Sequence, residues 1–265
     1  MLVLENISKT FYKNTSNENK ALSGINLEVN NGDFISIIGS NGAGKSTMLN
    51  CIAGVHQVNE GEIFLDGKKI NNIPEYERAK YIGRVFQDPL LGTSPEMTIE
   101  ENLALAFDKT NNMSLKWGLN NKRRKYIKEE LSKIELGLEK RLKTEVKLLS
   151  GGQRQALTLL MATMTEPKLL LLDEHTAALD PGTAVQIKKL TEELIKEKMI
   201  TTLMVTHNMK DAIKMGNRLI MMNKGEIILD IEGKRKENLT VEKLLDLFRM
   251  KQGREYANDR SILSV

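Results

Sequence analysis

Gly39-Ser40-Asn41-Gly42-Ala43-Gly44-Lys45-Ser46-Thr47 combines three glycines with one lysine and several hydroxyl side chains. A backbone this poor in bulky side chains turns sharply and points N–H groups inward. A helix starting at its end adds partial positive charge, and together they stabilise a polyphosphate. In the pattern G-x-x-x-x-G-K-[ST], Lys45 places its charge on the β and γ phosphates and the Ser46 hydroxyl is a ligand for Mg²⁺. A second stretch, LLLLDEHTAALD at residues 169–180, ends a run of leucines in two adjacent carboxylates, Asp173 and Glu174. Where a phosphate cradle is present, such a pair divides its work: an Asp at a buried strand end holds Mg²⁺, and a neighbouring carboxylate orients the attacking water. Asp173 fits the first role and Glu174 the second.

These groups act only if they are held, and the flanking sequence predicts the holders. FISII before Gly39 is apolar on both faces except at Ser36, as in a strand covered on both sides, and MLNCIAGV after Thr47 reads as a helix. LLLL at 169–172 and TTLMV at 201–205 are further apolar strands. A helix over about 184–197 separates them, with Pro181 near its start, and this alternation implies a parallel sheet. The first third differs. Leu2–Ile7 reads as a strand, as do Ile25, Leu27 and Val29 alternating with polar residues, and Asp66-Gly67 marks a hairpin. Asn223-Lys224-Gly225 marks another. Between about Glu100 and Met164 the pattern is helical, with Ile127, Leu131 and Ile134 at helical spacing, and the tail from Thr240 reads as a short helix with a polar end.

Bulk properties bound the function without choosing it. The 265 residues are 40% hydrophobic and 28% charged, the balance of an ordinary globular chain. No apolar run approaches the roughly 20 residues that span a bilayer, and MLVLENISKT lacks a secretory signal's basic and apolar regions, so a cytoplasmic chain is expected. A single cysteine, Cys51, excludes an intrachain disulfide or a multi-cysteine metal site and reads as a core residue. The net charge of +4 is mild, and no nucleic-acid partner is expected.

LLSGGQRQA narrows the reading. Ser150 is a good N-cap for the apolar helix that follows, and Gly151 and Gly152 leave its first N–H groups uncovered, the kind of helix start that binds an anion. Leu149-Ser150-Gly151-Gly152-Gln153 also matches the signature of the ATP-binding cassette (ABC) family. The family's other elements stand in order around it: VFQDP with Gln87 resembles the Q-loop, AALDP at 177–181 the D-loop, and VTHN with His207 the switch histidine. The resemblance covers residues 2–231. It implies an α/β fold: a P-loop NTPase core with a mixed sheet, an N-terminal antiparallel β subdomain and an inserted α-helical signature subdomain at about 88–165. The cassette would occupy 1–240, with a short helix and tail at 241–265. It further implies an ATPase using ATP and Mg²⁺, with Lys45 on the phosphates and Glu174 as general base. His207 would hydrogen-bond the γ-phosphate, Gln87 would contact Mg²⁺ or the water, and Phe11, or Tyr12 next to it, would stack on adenine. In the family's head-to-tail dimer, Ser150, Gly151, Gly152 and Gln153 would close on the γ-phosphate held by the second subunit, with Asp180 near that opposite site.

His175 departs from the family, which usually has Pro or another small residue there. It could shape the loop, contact the partner subunit or titrate near neutral pH, whereas Glu174 and His207 already fill both chemical roles. A transporter cassette of this kind pairs as a homodimer or with a second cassette. It lies on the cytoplasmic face of the membrane and docks near about Asp88–Leu105 on a separate permease. The motif wording looks most like cassettes of binding-protein-dependent importers, with amino acids among the cargoes and a solute-binding protein acting through the permease. An exporter subunit, or a soluble ATPase of cytosolic assembly such as iron–sulfur biogenesis, is the alternative. NKRRKYIKEE reads as a solvated helix face rather than a lipid-facing one, and Trp117 as a locally packed residue.

Overall fold

The structure, a computed structural model, describes residues 1–108 and 121–252. Trp117 lies outside the described residues. The chain forms two compact units, one of Met1–Arg78 with the chain from Thr201 onward, the other of Ala79–Ile200.

The first unit begins with β1 (Leu2–Phe11) and β2 (Asn19–Val29), paired antiparallel so that Leu2 faces Val29 and Ile7 faces Ile25. β3 (Phe34–Gly39) and α1 (Lys45–Ala53) flank the glycine-rich loop, and β4 (Glu60–Leu65), β5 (Lys68–Lys69) and α2 (Glu75–Arg78) follow. β4 pairs antiparallel with the other edge of β1, giving an antiparallel sheet in the order β2-β1-β4-β5. The expected hairpin at Asp66-Gly67 is present with φ of 51° and 72°, the geometry of a type I′ turn.

The second unit contains β6 (Ile82–Val85), α3 (Ile99–Asp108), α4 (Asn121–Lys133), α5 (Gly151–Thr163), β7 (Leu169–Asp173) and α6 (Pro181–Lys198). β6 and β7 run parallel, and Leu169, Leu170, Leu171 and Leu172 are wholly buried. α5 packs against both α3 and α6. Part of the basic run in α4 is consumed in ion pairs: Arg124 grips Glu100 of α3 through two bonds of 2.9 and 3.2 Å, and Lys133 joins Glu130 (2.8 Å) to Glu197 of α6 (3.3 Å).

The chain returns to the first unit with β8 (Thr201–Val205), α7 (Met209–Lys214), β9 (Arg218–Asn223), β10 (Glu226–Glu232), α8 (Gly233–Glu237) and α9 (Val241–Gln252). Here β3 lies between β8 and β9, parallel to both, and β9 pairs antiparallel with β10, so the sheet is mixed. Ser36, the one polar side chain of β3, is buried and donates to the Met215 carbonyl at 2.9 Å. α9 inserts Leu244 and Phe248 into the core formed by Ile38, Met209, Ala212 and Leu219. No helix among the described residues is long and apolar enough to cross a membrane.

Candidate active site

In the first unit, β3 delivers the glycine-rich loop at its C-terminal end. Gly39 pairs with Met222 of β9, and a Cβ there would sit 2.2 Å from the Met222 carbonyl oxygen. Gly44 caps α1 with φ 97°, and a Cβ there would lie 2.5 Å from the Ala21 carbonyl oxygen. Gly39 and Gly44 are therefore required by neighbouring backbone, whereas Gly42 has open space around it and φ 77°. Lys45 is only 6% exposed, and its ammonium donates to the carbonyls of Gly39 (2.8 Å) and Ser40 (2.9 Å), so the charge is held over the loop it must serve. Ser46 is exposed on the first turn of α1.

The far end of α1 is held by a residue that sequence reasoning missed. Buried Arg78 donates to the carbonyls of Cys51 (2.9 Å), Ile52 (2.8 Å), Ile73 (2.8 Å) and Asn71 (3.0 Å). A cation at a helix C-terminus satisfies its last carbonyls and complements its dipole. An arginine in a charged stretch gives no local sign of this use. Cys51 is buried as expected.

His207 follows β8, the parallel neighbour of β3. Ile37 pairs with Val205 and Thr206 N–H donates to the Ile37 carbonyl at 3.1 Å, so Gly39 and His207 each stand two residues beyond a shared pair at one edge. That edge, the carboxyl end of the strands, is where open α/β sheets bind ligands. Asn208 anchors the histidine's loop by donating from its N–H to Thr206 Oγ1 and capping α7 at Asp211, both at 3.1 Å. Phe11, at the end of β1, is half-buried; its ring meets the His56 ring edge-on at 5.2 Å, and the Lys9 ammonium lies 5.1 Å from its centroid. Tyr12 is 71% exposed. His56, to which the sequence assigned nothing, belongs to this aromatic group.

The second unit repeats the arrangement. Val85 of β6 pairs with Leu172 of β7, so Gln87 and Glu174 again stand two residues past a shared pair, with Asp173 closing β7. Glu174 has φ 46°, a left-handed conformation rare for a non-glycine residue, and its carbonyl accepts from Ala177 N–H at 2.9 Å. His175 is 3% exposed, with Nε2 3.1 Å from Thr191 Oγ1 of α6. Burial pushes the imidazole down to about 4, with Lys188 adding to the effect. The structure thus removes two of the three roles open to His175: it does not titrate near neutrality, and it is not on a surface that a partner could touch. Shaping the loop remains.

The signature forms a reciprocal capping box: Gln153 N–H donates to Ser150 Oγ and Ser150 N–H donates to Gln153 Oε1, both at 3.2 Å. The Gln153 side-chain carbonyl is therefore committed to its own loop. Gly151 at the start of α5 is exposed, and Gly152 is buried. A Cβ at Gly152 would sit 2.2 Å from Thr183 Cγ2. Thr183 N–H in turn donates to Asp180 Oδ1 at 3.0 Å, capping α6, and hydrogen bonding from the Thr183 side chain first, then from its backbone, lowers the Asp180 carboxyl from its ordinary value. Signature and D-loop thus meet at Thr183.

The expected metal donors are a hydroxyl, an amide and a carboxylate, all oxygen ligands suited to Mg²⁺. Among the described residues no three His, Cys, Asp or Glu side chains converge as a metal cage.

Residues 22–177 match the family model described as ABC transporter. The chain is 49% identical, over 248 residues, to the tyrosine transport ATP-binding protein of Clostridioides difficile (strain R20291), covering 94% of this chain and 98% of that one. It is 35% identical to the spermidine/putrescine import ATP-binding protein PotA of Haemophilus influenzae, spanning 87% of this chain and 57% of that longer protein. Among solved structures, the dimeric ATP-binding cassette MJ0796 bound to ADP and Pi superposes with a TM-score of 0.76 at 33% identity, over 88% of this chain and 98% of that one. The cassette MJ1267 in its ADP conformation gives 0.74 at 31%, over 94% and 98%. With residues 22–177 matching the family model and a relative 49% identical over nearly the whole of both chains, the chain belongs to the ABC transporter family, as an ATP-binding subunit that hydrolyses ATP.

Proposed function

We propose that this subunit pairs head-to-tail with a second cassette and drives a separate permease that imports an amino acid of the tyrosine class. The observation that carries this reading is the 49% identity to a tyrosine transport ATP-binding protein across almost the full length of both chains. The import function in PotA's name supports the direction, and the dimeric MJ0796 cassette supports the pairing. In this reading the chain works on the cytoplasmic face of the membrane, with a solute-binding protein acting through the permease.

The residues divide the work. The N–H groups of Gly39–Thr47 and the Lys45 ammonium bind the triphosphate, and Phe11 stacks on the base. Ser46, Gln87 and Asp173 would hold Mg²⁺, which would neutralise phosphate charge when bound. Glu174 takes the proton of the attacking water, and His207 hydrogen-bonds the γ-phosphate as charge builds there. Ser150, Gly151 and the start of α5 face the second subunit's nucleotide, with Gln153 and Gly152 shaping that helix start and Asp180 close to it.

Glu174→Gln tests the core of the assignment. ATP binding is retained, turnover falls about a hundredfold or more, and light scattering finds an ATP-bound dimer; normal steady-state hydrolysis overturns the assignment of the base. For the cargo, cells carrying only Glu174→Gln lose uptake of labelled tyrosine, and unchanged uptake overturns that cargo. Recovery of only cytosolic partners in a pull-down overturns the transporter reading.

A further inference from the structure

His175 follows the proposed base directly and has no part in the chemistry above, yet its side chain is buried and hydrogen-bonded to Thr191 of α6. The Thr191 hydroxyl has one proton, and it is directed to the Ile187 carbonyl at 2.7 Å. Thr191 Oγ1 must therefore accept from His175 Nε2–H at 3.1 Å, which fixes both the tautomer and the plane of the ring. Buried and singly oriented, the imidazole pins residue 175 to the middle of α6.

On the other side of the same peptide bond is Glu174, held at φ 46°. Side chains rarely adopt this conformation unless their surroundings impose it. Upstream, the leucines of β7 are wholly buried; downstream, the ties on this segment include the turn from Ala177 N–H to the Glu174 carbonyl and the imidazole peg. We propose that His175 is a positioning residue: its hydrogen bond to Thr191 fixes the peptide plane after Glu174 and so aims the Glu174 carboxylate at the water. The inference rests on the assignment of Glu174 as the base. α6 also carries Thr183 against Gly152, so the helix that receives the peg is in register with the signature. The loop from base to D-loop is thus referenced to one rigid element.

The test is steady-state ATPase of the full chain with His175→Leu, His175→Gln, Thr191→Val and Thr191→Ser, together with melting temperatures. Leu and Val remove the hydrogen bond at similar volume and are expected to lower kcat about tenfold while KM for ATP stays within about twofold, because misaiming a base impairs chemistry rather than binding. Gln carries an amide donor at the reach of Nε2, and Ser keeps the hydroxyl; each restores most of kcat. The double variant His175→Leu/Thr191→Val falls no further than either single one, as expected of one shared bond. Wild-type kcat in His175→Leu and Thr191→Val, with Glu174→Gln inactive, overturns the peg alone. A kcat loss that Gln and Ser do not relieve and that follows the melting temperature also overturns it, marking a merely structural contact. Normal turnover by Glu174→Gln overturns both the base and the peg.

Discussion

Gly152→Ala adds one carbon to a place where none fits. The new Cβ would lie 2.2 Å from Thr183 Cγ2, while the Thr183 Cβ and Oγ1 are 3.5 and 3.7 Å away, at ordinary contact distance. One methyl of one partner is therefore responsible for the clash. Overpacking of this kind costs about 1–3 kcal/mol, because Thr183 has few rotamers on the first turn of a helix and α5 cannot move off α6 without opening the interface. Thr183→Ser removes that methyl and nothing else; by itself it costs less than about 1 kcal/mol, as Thr183 is only half-buried. The double variant Gly152→Ala/Thr183→Ser then regains most of the loss. Urea denaturation of the four proteins, read as midpoints at unchanged slope, measures the cycle, and a coupling of about 1 kcal/mol or more is expected. ATPase activity should follow the same order, since Thr183 also donates to the Asp180 cap. A double variant no more stable than Gly152→Ala would falsify the claim that Gly152 is glycine because of Thr183.

Other perturbations follow from the same geometry. Lys45→Ala removes the buried ammonium from the cradle and should weaken ATP binding about tenfold or more in a nucleotide titration; unchanged affinity contradicts the cradle. Above the imidazole's ordinary 6.5, His175 is neutral folded and unfolded, and it contributes no pH dependence. As pH falls from there towards about 4, the unfolded ring binds a proton that the buried ring refuses, so stability falls with pH by up to about 3 kcal/mol. His175→Gln should flatten that slope in denaturation curves, and an unchanged slope refutes the burial argument. Burial pushes the Cys51 thiol up to about 11, so iodoacetamide should label it only on unfolding at about pH 8; rapid labelling of the native chain contradicts its place in the core.

Much of the site was legible because its signals are local in the chain. The glycine-rich loop between an apolar strand and a helix, the Ser150 cap and the leucines before Asp173 depend on neighbours a few residues away. So do the hairpins, whose turns need only two residues with positive φ. The short helices α2, α7 and α8, of four, six and five residues, went unread because so few residues show no helical period.

The order of the motifs identified the nucleotide, the reaction class and the family from sequence alone, since the covalent chain preserves both spacing and succession. Tertiary structure decided how individual residues serve those roles. Only the fold sets Arg78 under the end of α1, Phe11 against His56, Gly152 against Thr183 and His175 against Thr191. Each of these is a contact between residues distant in the chain, made or forbidden by a few ångströms of packing. Residue types along a sequence carry chemistry and local conformation, but not the distance between two side chains that only a completed core brings together.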